Sequence, residues 1–459
     1  MSADARAAGP AGSGEELLAL ARKLVERAAP DEHVEVLLAR GASTTVRVHD
    51  GEVESLSSAD SSGAGIRVVS GGRLGFAHCG SLDPAVLEET LSEARDNCRF
   101  GAPDEHHGLA EPDGVPVVER DAWSDAVVST PVDRKVEIAL DLERRALSLD
   151  PRVSTARTTI YGDGWGESVL VTSTGIEGYD RGASCSASTA PLARDGDETQ
   201  IGSSHDAARD PEELDLDRVA SEAVERATRL LGATKPGSGR MAIVLEPRLA
   251  VTLLGVVASM LSGDAVEKGR SPFRDRVGEV IASPLLSLVD DPTRAESLGS
   301  EQIDGEGLAC RPNPLIVEGV LQGFLHDSTS GRRAGVASTA SAVRGARTLP
   351  SPGAQVLVMS PGSRGMDELI ASVDEGLFVN GFAGLHSGVN PVSGDFSVGA
   401  DGLLIRGGEL AEPVRELTVA STLQRLLRDV VEVGGDLEWL PSGHAGCSLV
   451  IADVSVSGA

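Results

Sequence analysis

From Glu15 to Ala28 the apolar residues Leu17, Leu18, Ala21, Leu24 and Val25 fall on one side of a 3.6-residue period, which predicts an amphipathic helix. The period then drops to two. VEVLLARG (34–41) and TTVRVHDGEVESLSS (44–58) alternate as strands around a type I′ hairpin signal at Asp50–Gly51, and GAGIRVVSGGRLGFAHCGS (63–81) forms a second hairpin turning at Gly71–Gly72. Asp83 and Pro84 supply the cap and first position of a helix to about Asn97, and Thr130–Pro131 starts another to about Ser148. Three strands are expected next, VSTARTTIYG, GESVLVTSTG and IEGYDRGASCSAST. The box Asp210–Glu213 then predicts a helix to about Leu231.

After the linker-like GATKPGSG (232–239) the pattern changes. A strand, RMAIVLEP, leads into Leu249–Leu261, where no residue is charged and only Thr252 and Ser259 are polar. Pro247 suits a first helical position, and a surface helix would show a polar face that this run lacks. It is also shorter than the roughly 20 apolar residues a membrane span needs. The reading is a helix buried on nearly all sides, ending at Ser262–Gly263–Asp264. Short strands with Gly-rich turns follow to the end, interrupted by helical patches at Met366–Val373 and Leu423–Val433. The chain is therefore expected to be α+β: a disordered 1–13, an N-terminal antiparallel sheet with flanking helices over 14–235, and a β-rich, sandwich- or barrel-like domain around the buried helix over 236–459.

Composition narrows the function classes. A formal net charge of −29 without a basic cluster repels nucleic acid and anionic membrane surfaces, which removes both as partners. Five scattered cysteines without a CxxC pair, the lack of an apolar core for a signal peptide, and the lack of an 18-residue apolar run predict a cytoplasmic protein. There is no P-loop, GxGxxG or GxSxG.

Five stretches carry a family resemblance. The run 245–273 and, next to it in strength, NPVSGDFSVGADGLLIRGGELAEPVRELTVASTL (390–423), together with the strand pair GIRVVSGGRLGFAH and the segments SPLLSLVDDPTRAESLGSEQIDGEG (283–307) and LQGFLHDSTSGRRAG, resemble the TldD/PmbA family of peptidases, also described as modulators of DNA gyrase. In the TldD branch the central helix resembles HExxxHGLEGD, with two zinc-binding His and a water-activating Glu. Aligned on Leu261, Gly263 and Asp264, those three positions fall here on Leu254, Gly255 and Ser259. Zinc takes imidazole, thiolate or carboxylate ligands, so these residues supply neither metal ligand nor base. The chain resembles the TldE/PmbA branch, which lacks them.

The resemblance implies a non-catalytic subunit of a heterodimeric metallopeptidase that cleaves unfolded or short peptides. It holds no cofactor of its own, and zinc resides in a TldD-type partner. Peptide maturation, antitoxin degradation and natural-product processing are all compatible with the family. Two alternatives stay open: a homodimeric peptide- or small-molecule-binding protein, and an amide hydrolase with a rearranged site around His386, His444 and Cys447, which are also the weak candidates for a metal. Asn390, Gly394, Asp395 and Ser397 offer hydrogen bonds or close backbone approach to an extended peptide, or else serve turns of their own domain. Asp290, Asp291, Asp304 and Glu306 have no calcium-loop spacing and read as a solvated acidic loop. The consecutive His326, Asp327 and Ser328 do not form a catalytic triad.

Overall fold

A computed structural model describes residues 14–458, so the segment expected to be disordered, 1–13, lies outside the described residues. The first half is built on long antiparallel strands: β1 (Glu32–His49), β2 (Glu52–Ser70), β3 (Arg73–Cys79), β4 (Val153–Thr172), β5 (Glu177–Asp195), β6 (Glu198–Ile201) and β7 (Ser204–Ala208). Their order is β3-β2-β1-β4-β5-β6, with β7 also on β5, in a curved half-barrel sheet. The turns are those their sequences demand: Asp50 and Gly51 sit at φ 52° and 78°, Gly71 and Gly72 at 55° and 70°.

One face of this sheet is covered throughout by helices. At one end α1 (Glu15–Val25) and α2 (Pro84–Phe100) pack Leu17, Leu24, Leu87 and Leu91 onto Val34, Val36 and Leu38 of β1. At the other end the short α3 (Asp125–Ser129), α4 (Val132–Leu149) and α5 (Leu216–Thr228) pack Val127, Ile138, Leu142 and Val219 onto Val46 and Val48. These β1 residues are all even-numbered and so share a face. The odd face divides in two. Near Glu35 and Leu37 it is buried under the second half of the chain, whereas Ser43, Thr45, Arg47 and His49 are exposed.

The second half begins with β8 (Gly239–Leu245) and the central helix α6 (Pro247–Met260). Three short strands, β9 (Leu288–Asp290), β10 (Asn313–Val317) and β11 (Val320–Leu321), follow, then a two-stranded ladder of β12 (Ala342–Val343) and β13 (Ser351–Pro352), and β14 (Leu357–Met359). The remaining strands are β15 (Glu375–Ala383), β16 (Asp395–Arg406), β17 (Glu409–Thr422), β18 (Val430–Val433), β19 (Glu438–Trp439), β20 (Ala445–Gly446) and β21 (Leu449–Ser457). The order β17-β16-β15-β8-β21 closes on itself through β17–β21 pairing at Thr418–Ser457 to Ala420–Ser455, forming a five-stranded barrel. One large core joins α6 to strand residues Ile243, Leu245, Val379, Val398, Val419 and Ile451. The expected α+β architecture with a barrel-like half and a buried helix is the one observed.

Three local expectations are corrected. VSTARTTIYG and GESVLVTSTG are one continuous strand, β4, because the Gly162–Gly166 run that resembles a turn stays paired with both β1 and β5. Asp210 caps only a single 3-10 turn over Pro211–Glu213, and the helix that follows is capped separately by Asp215, whose side chain accepts from Arg218 N–H. The patch Leu423–Val433 is helical only to Arg428, after which Val430–Val433 joins β21 as a strand.

Candidate functional site

α6 buries nine of its fourteen residues, and its exposed or half-exposed positions form one strip: Arg248, Thr252, Gly255, Val256 and Ser259. That spacing, near i, i+4, i+7, i+8 and i+11, is one side of a helix. The two polar side chains fold back on the helix itself, with Thr252 Oγ1 donating to Arg248 O at 2.8 Å and Ser259 Oγ to Val256 O at 2.6 Å. A Cβ placed on Gly255 would meet nothing within 4 Å, so that position faces open space. Leu254 does the opposite: it is 1% exposed and belongs to the main apolar core. The three positions expected to replace a zinc site are therefore split, one inside and two on the open strip. Leu, Gly and Ser at these positions do not fit a zinc ion, and no chemistry runs through one here.

The candidates around the C-terminus are not assembled into a ligand set either. His386 is exposed in a short helix, Leu385–Gly388. The Nδ1 atom of His444 accepts the Leu357 N–H at 3.1 Å, and burial pushes this imidazole's pKa down, so it stays neutral. Cys447 is wholly buried in the same core as Leu254, where burial, with Asp436 adding to it, pushes the thiol up to about 12. A thiol held protonated is neither nucleophile nor ligand at neutral pH. Among the described residues, no three His, Cys, Asp or Glu side chains form a metal-binding group.

The residues proposed for peptide contact mostly serve their own turn. Asn390 Oδ1 accepts the N–H groups of Val392 and Ser393 at 3.0 and 3.4 Å, and Ser393 Oγ donates to Asp395 Oδ2 at 2.7 Å. Gly394 adopts φ 85°, and a Cβ there would overlap the Gln424 side chain, which accounts for the glycine. Ser397, exposed on β16, is the one of the four not engaged in this turn. His326, Asp327 and Ser328 are likewise structural: Asp327 caps the helix Ser328–Ala334, accepting the Ser330 N–H at 2.7 Å.

The acidic run is the largest departure from the sequence reading. Asp290, Asp291, Asp304 and Glu306 are buried, not solvated. Glu306 Oε1 accepts from Arg67 Nη2 at 3.1 Å and its Oε2 accepts the Ser328 N–H at 2.7 Å. Arg67 also donates to Glu35 at 2.6 Å, and Arg344 closes the set on Glu35. Burial works against the charge on Glu35, but Arg67 and Arg344 overcome it and hold its carboxyl below the usual range. Two acids and two arginines thus form an ionised seam between the half-barrel sheet and the barrel half. Gly65, beside Arg67, permits the close approach, since a Cβ there would lie 2.4 Å from the Ala346 carbonyl oxygen. No spacing rule points to Glu35, Arg67 and Arg344, although Arg67 lies in the family-like stretch GIRVVSGGRLGFAH.

The odd face of the sheet beyond this seam forms a trough. Its floor consists of two cross-strand rows of small residues, Ala59–Ser43–Gly164–Ser184 and Ser57–Thr45–Gly162–Ser186. Adjoining cavities of ≈ 390 and ≈ 640 Å³ share Gly164, Ser184 and Leu298 along it. Small hydroxyls and glycines make up these rows, while Arg209 and His205 also line the cavities.

A half-barrel sheet joined by a buried ionic seam to a small closed barrel, built around an apolar central helix, is the class of fold this chain adopts. Family models confirm the class: PmbA/TldA metallopeptidase domain 1 matches residues 34–98, the central domain 126–231 and the C-terminal domain 238–458. The chain belongs to the PmbA/TldD metallopeptidase family. It is 25% identical over 432 residues to the metalloprotease PmbA of Escherichia coli O157:H7, covering 92% of each chain. It is 28% identical over 428 residues to a metalloprotease TldD homolog of Haemophilus influenzae, covering 86% of each. The crystal structure of TldE from Thermococcus kodakarensis shares the fold, with a TM-score of 0.87 at 24% identity over 97% of this chain and 99% of that one. No helix of the described residues is long and apolar enough to cross a membrane.

Proposed function

We propose that this chain is the TldE/PmbA-type, non-catalytic half of a heterodimeric TldD/TldE-type zinc metallopeptidase that acts on unfolded or short peptides in the cytoplasm. One observation carries the reading: at the three positions where the family resemblance places ligands and base, the chain has a core leucine, a glycine facing open space and a serine bonded to its own helix. A protein that only needed this fold for stability would have no reason to keep a helix face open beside it. The role that fits is to complete a chamber whose chemistry the TldD-type partner supplies, with the smooth trough and Ser397 of β16 as surfaces an extended peptide passes. The family match, and relatives named both PmbA and TldD, support a partner of the same fold.

The test is the zinc content, mass and peptidase activity of the purified chain, alone and mixed with a TldD-type partner. The expected result is a metal-free, inert chain that forms an active 1:1 complex. Stoichiometric zinc and peptide hydrolysis by the chain alone would overturn the proposal.

A further inference from the structure

β1 pairs with β2 along the whole of β2, from His49–Glu52 to Glu32–Ser70. On its other side, β3 covers β2 only from Ala64 to Ser70. Among the described residues, no strand or bridge lies against that side of residues 52–63. Every residue from Glu52 to Ser62 is exposed, including Val53 at 43% and Leu56 at 45%. At about 3.4 Å per residue this is a row of unpaired backbone groups roughly 40 Å long. A register shift at Arg47/Val48, where Glu54 is the extra residue, bends the hairpin end, and 55–63 continues in regular register.

A long free edge invites pairing with another chain, and lone proteins blunt it with proline, lysine or a covering element. Residues 52–63 hold neither proline nor lysine. Their charges are Glu52, Glu54 and Asp60, and the cation facing them is Arg47, 3.7 Å from Glu54. Two copies of this edge would bring six carboxylates to one seam between chains that each carry −29, which opposes self-pairing. A strand bearing Lys or Arg meets the same edge favourably. Backbone hydrogen bonds then supply the affinity and the carboxylates the choice of partner.

We propose that residues 52–63 of β2 are the docking seam for the TldD-type partner, whose own edge strand, basic along this stretch, continues the half-barrel sheet. The inference rests on the heterodimer reading and adds to it where the two chains join and what selects the partner.

The experiment uses the full chain and the TldD-type peptidase of the same organism, followed by light scattering and titration calorimetry. Ser57→Pro and Ser58→Pro are compared, because neighbouring N–H groups of a strand point to opposite sides. One variant loses a bond to β1 and melts at a lower temperature. The other loses an outward donor, is tolerated by the monomer as prolines are on edge strands, and is expected to weaken the complex at least tenfold. The double charge reversal Glu54→Lys/Asp60→Lys is expected to weaken it as much. A complex that forms and is unchanged by all three variants overturns the seam while leaving the heterodimer reading intact. Absence of any complex with the unaltered chain removes both. A homodimer of this chain that the proline variants dissolve assigns the edge to a second copy and also overturns the proposal.

Discussion

α6 and the stretch Asp290–Glu306 invert each other. The helix stands where the family resemblance places zinc ligands, yet its interior is hydrocarbon and its open face holds Gly255 and a self-bonded Ser259. The acidic stretch reads as solvated, yet Asp290 and Glu306 have no exposed surface and work as fixed internal acceptors. The difference lies in where the partners are. The neighbours of α6 follow from its own composition, because an uncharged run of thirteen residues buries most of its surface. The neighbours of Glu306 are Arg67, 239 residues earlier, and the backbone of Ser328. A local window therefore reveals a hydrophobic centre and conceals an ionic one.

The ionic centre is expected to be the more sensitive of the two. Replacing Arg67 by Met leaves Glu35 with only Arg344 and leaves Glu306 with one backbone donor, both inside the protein. Breaking a buried ion pair from one side costs about 3–5 kcal/mol. Urea unfolding of Arg67→Met should show at least that loss, and the triple variant with Glu35→Gln and Glu306→Gln should recover much of it. If Arg67→Met alone stays within about 1 kcal/mol of the parent, the seam is not what joins the halves.

How much was legible follows the same division. The Asp50–Gly51 and Gly71–Gly72 hairpins, the Asp83–Pro84 helix start and α6 were all written in a few adjacent residues, and all are present. The pattern of β4 suggests two strands because Gly162, Gly164 and Gly166 look like turn residues. They are glycines of a trough floor, and a Cβ on Gly164 would come within 3.0 Å of the Ala42 carbonyl oxygen on the neighbouring strand. At the candidate site, that Leu254, Gly255 and Ser259 carry no metal-ligating side chain is legible from residue types. The split between an inward Leu254 and an outward Gly255 and Ser259 is not, because it depends on which side of α6 the barrel occupies.

That split gives the next contrast, within α6 itself. Leu254→Ala removes a fully buried side chain from the main core and should cost about 2–5 kcal/mol. Ser259→Ala, five residues later on the open strip, should lie within about 0.5 kcal/mol of the parent. Thermal unfolding of the two single variants reads both. Equal losses would mean that the open face of α6 is packed and that the two sides do not differ.

The acidic stretch also predicts a pH dependence, spread over several pH units and so shallow at any one pH. Burial, reinforced by the neighbouring Glu306, pushes the Asp304 carboxyl up to about 7. Burial raises Asp290 to about 6 despite two backbone N–H groups on its Oδ1, and its Oδ2 has no hydrogen-bond partner, which suits a proton there. A carboxyl raised in the folded state stabilises it most below the unfolded value of about 3.9, and that stabilisation fades as pH climbs through the folded value. Each group should therefore lower stability by up to about 1.4 kcal/mol per pH unit, Asp290 from about pH 4 to 6 and Asp304 from about pH 4 to 7. Unfolding free energies measured between pH 5 and 8 should fall and then level off near neutrality, and Asp304→Asn should flatten the slope above pH 6. A parent profile that rises over that range would mean that Asp304 is held ionised by its three backbone donors, from Glu306, Leu308 and Ala342, and that burial does not decide its state.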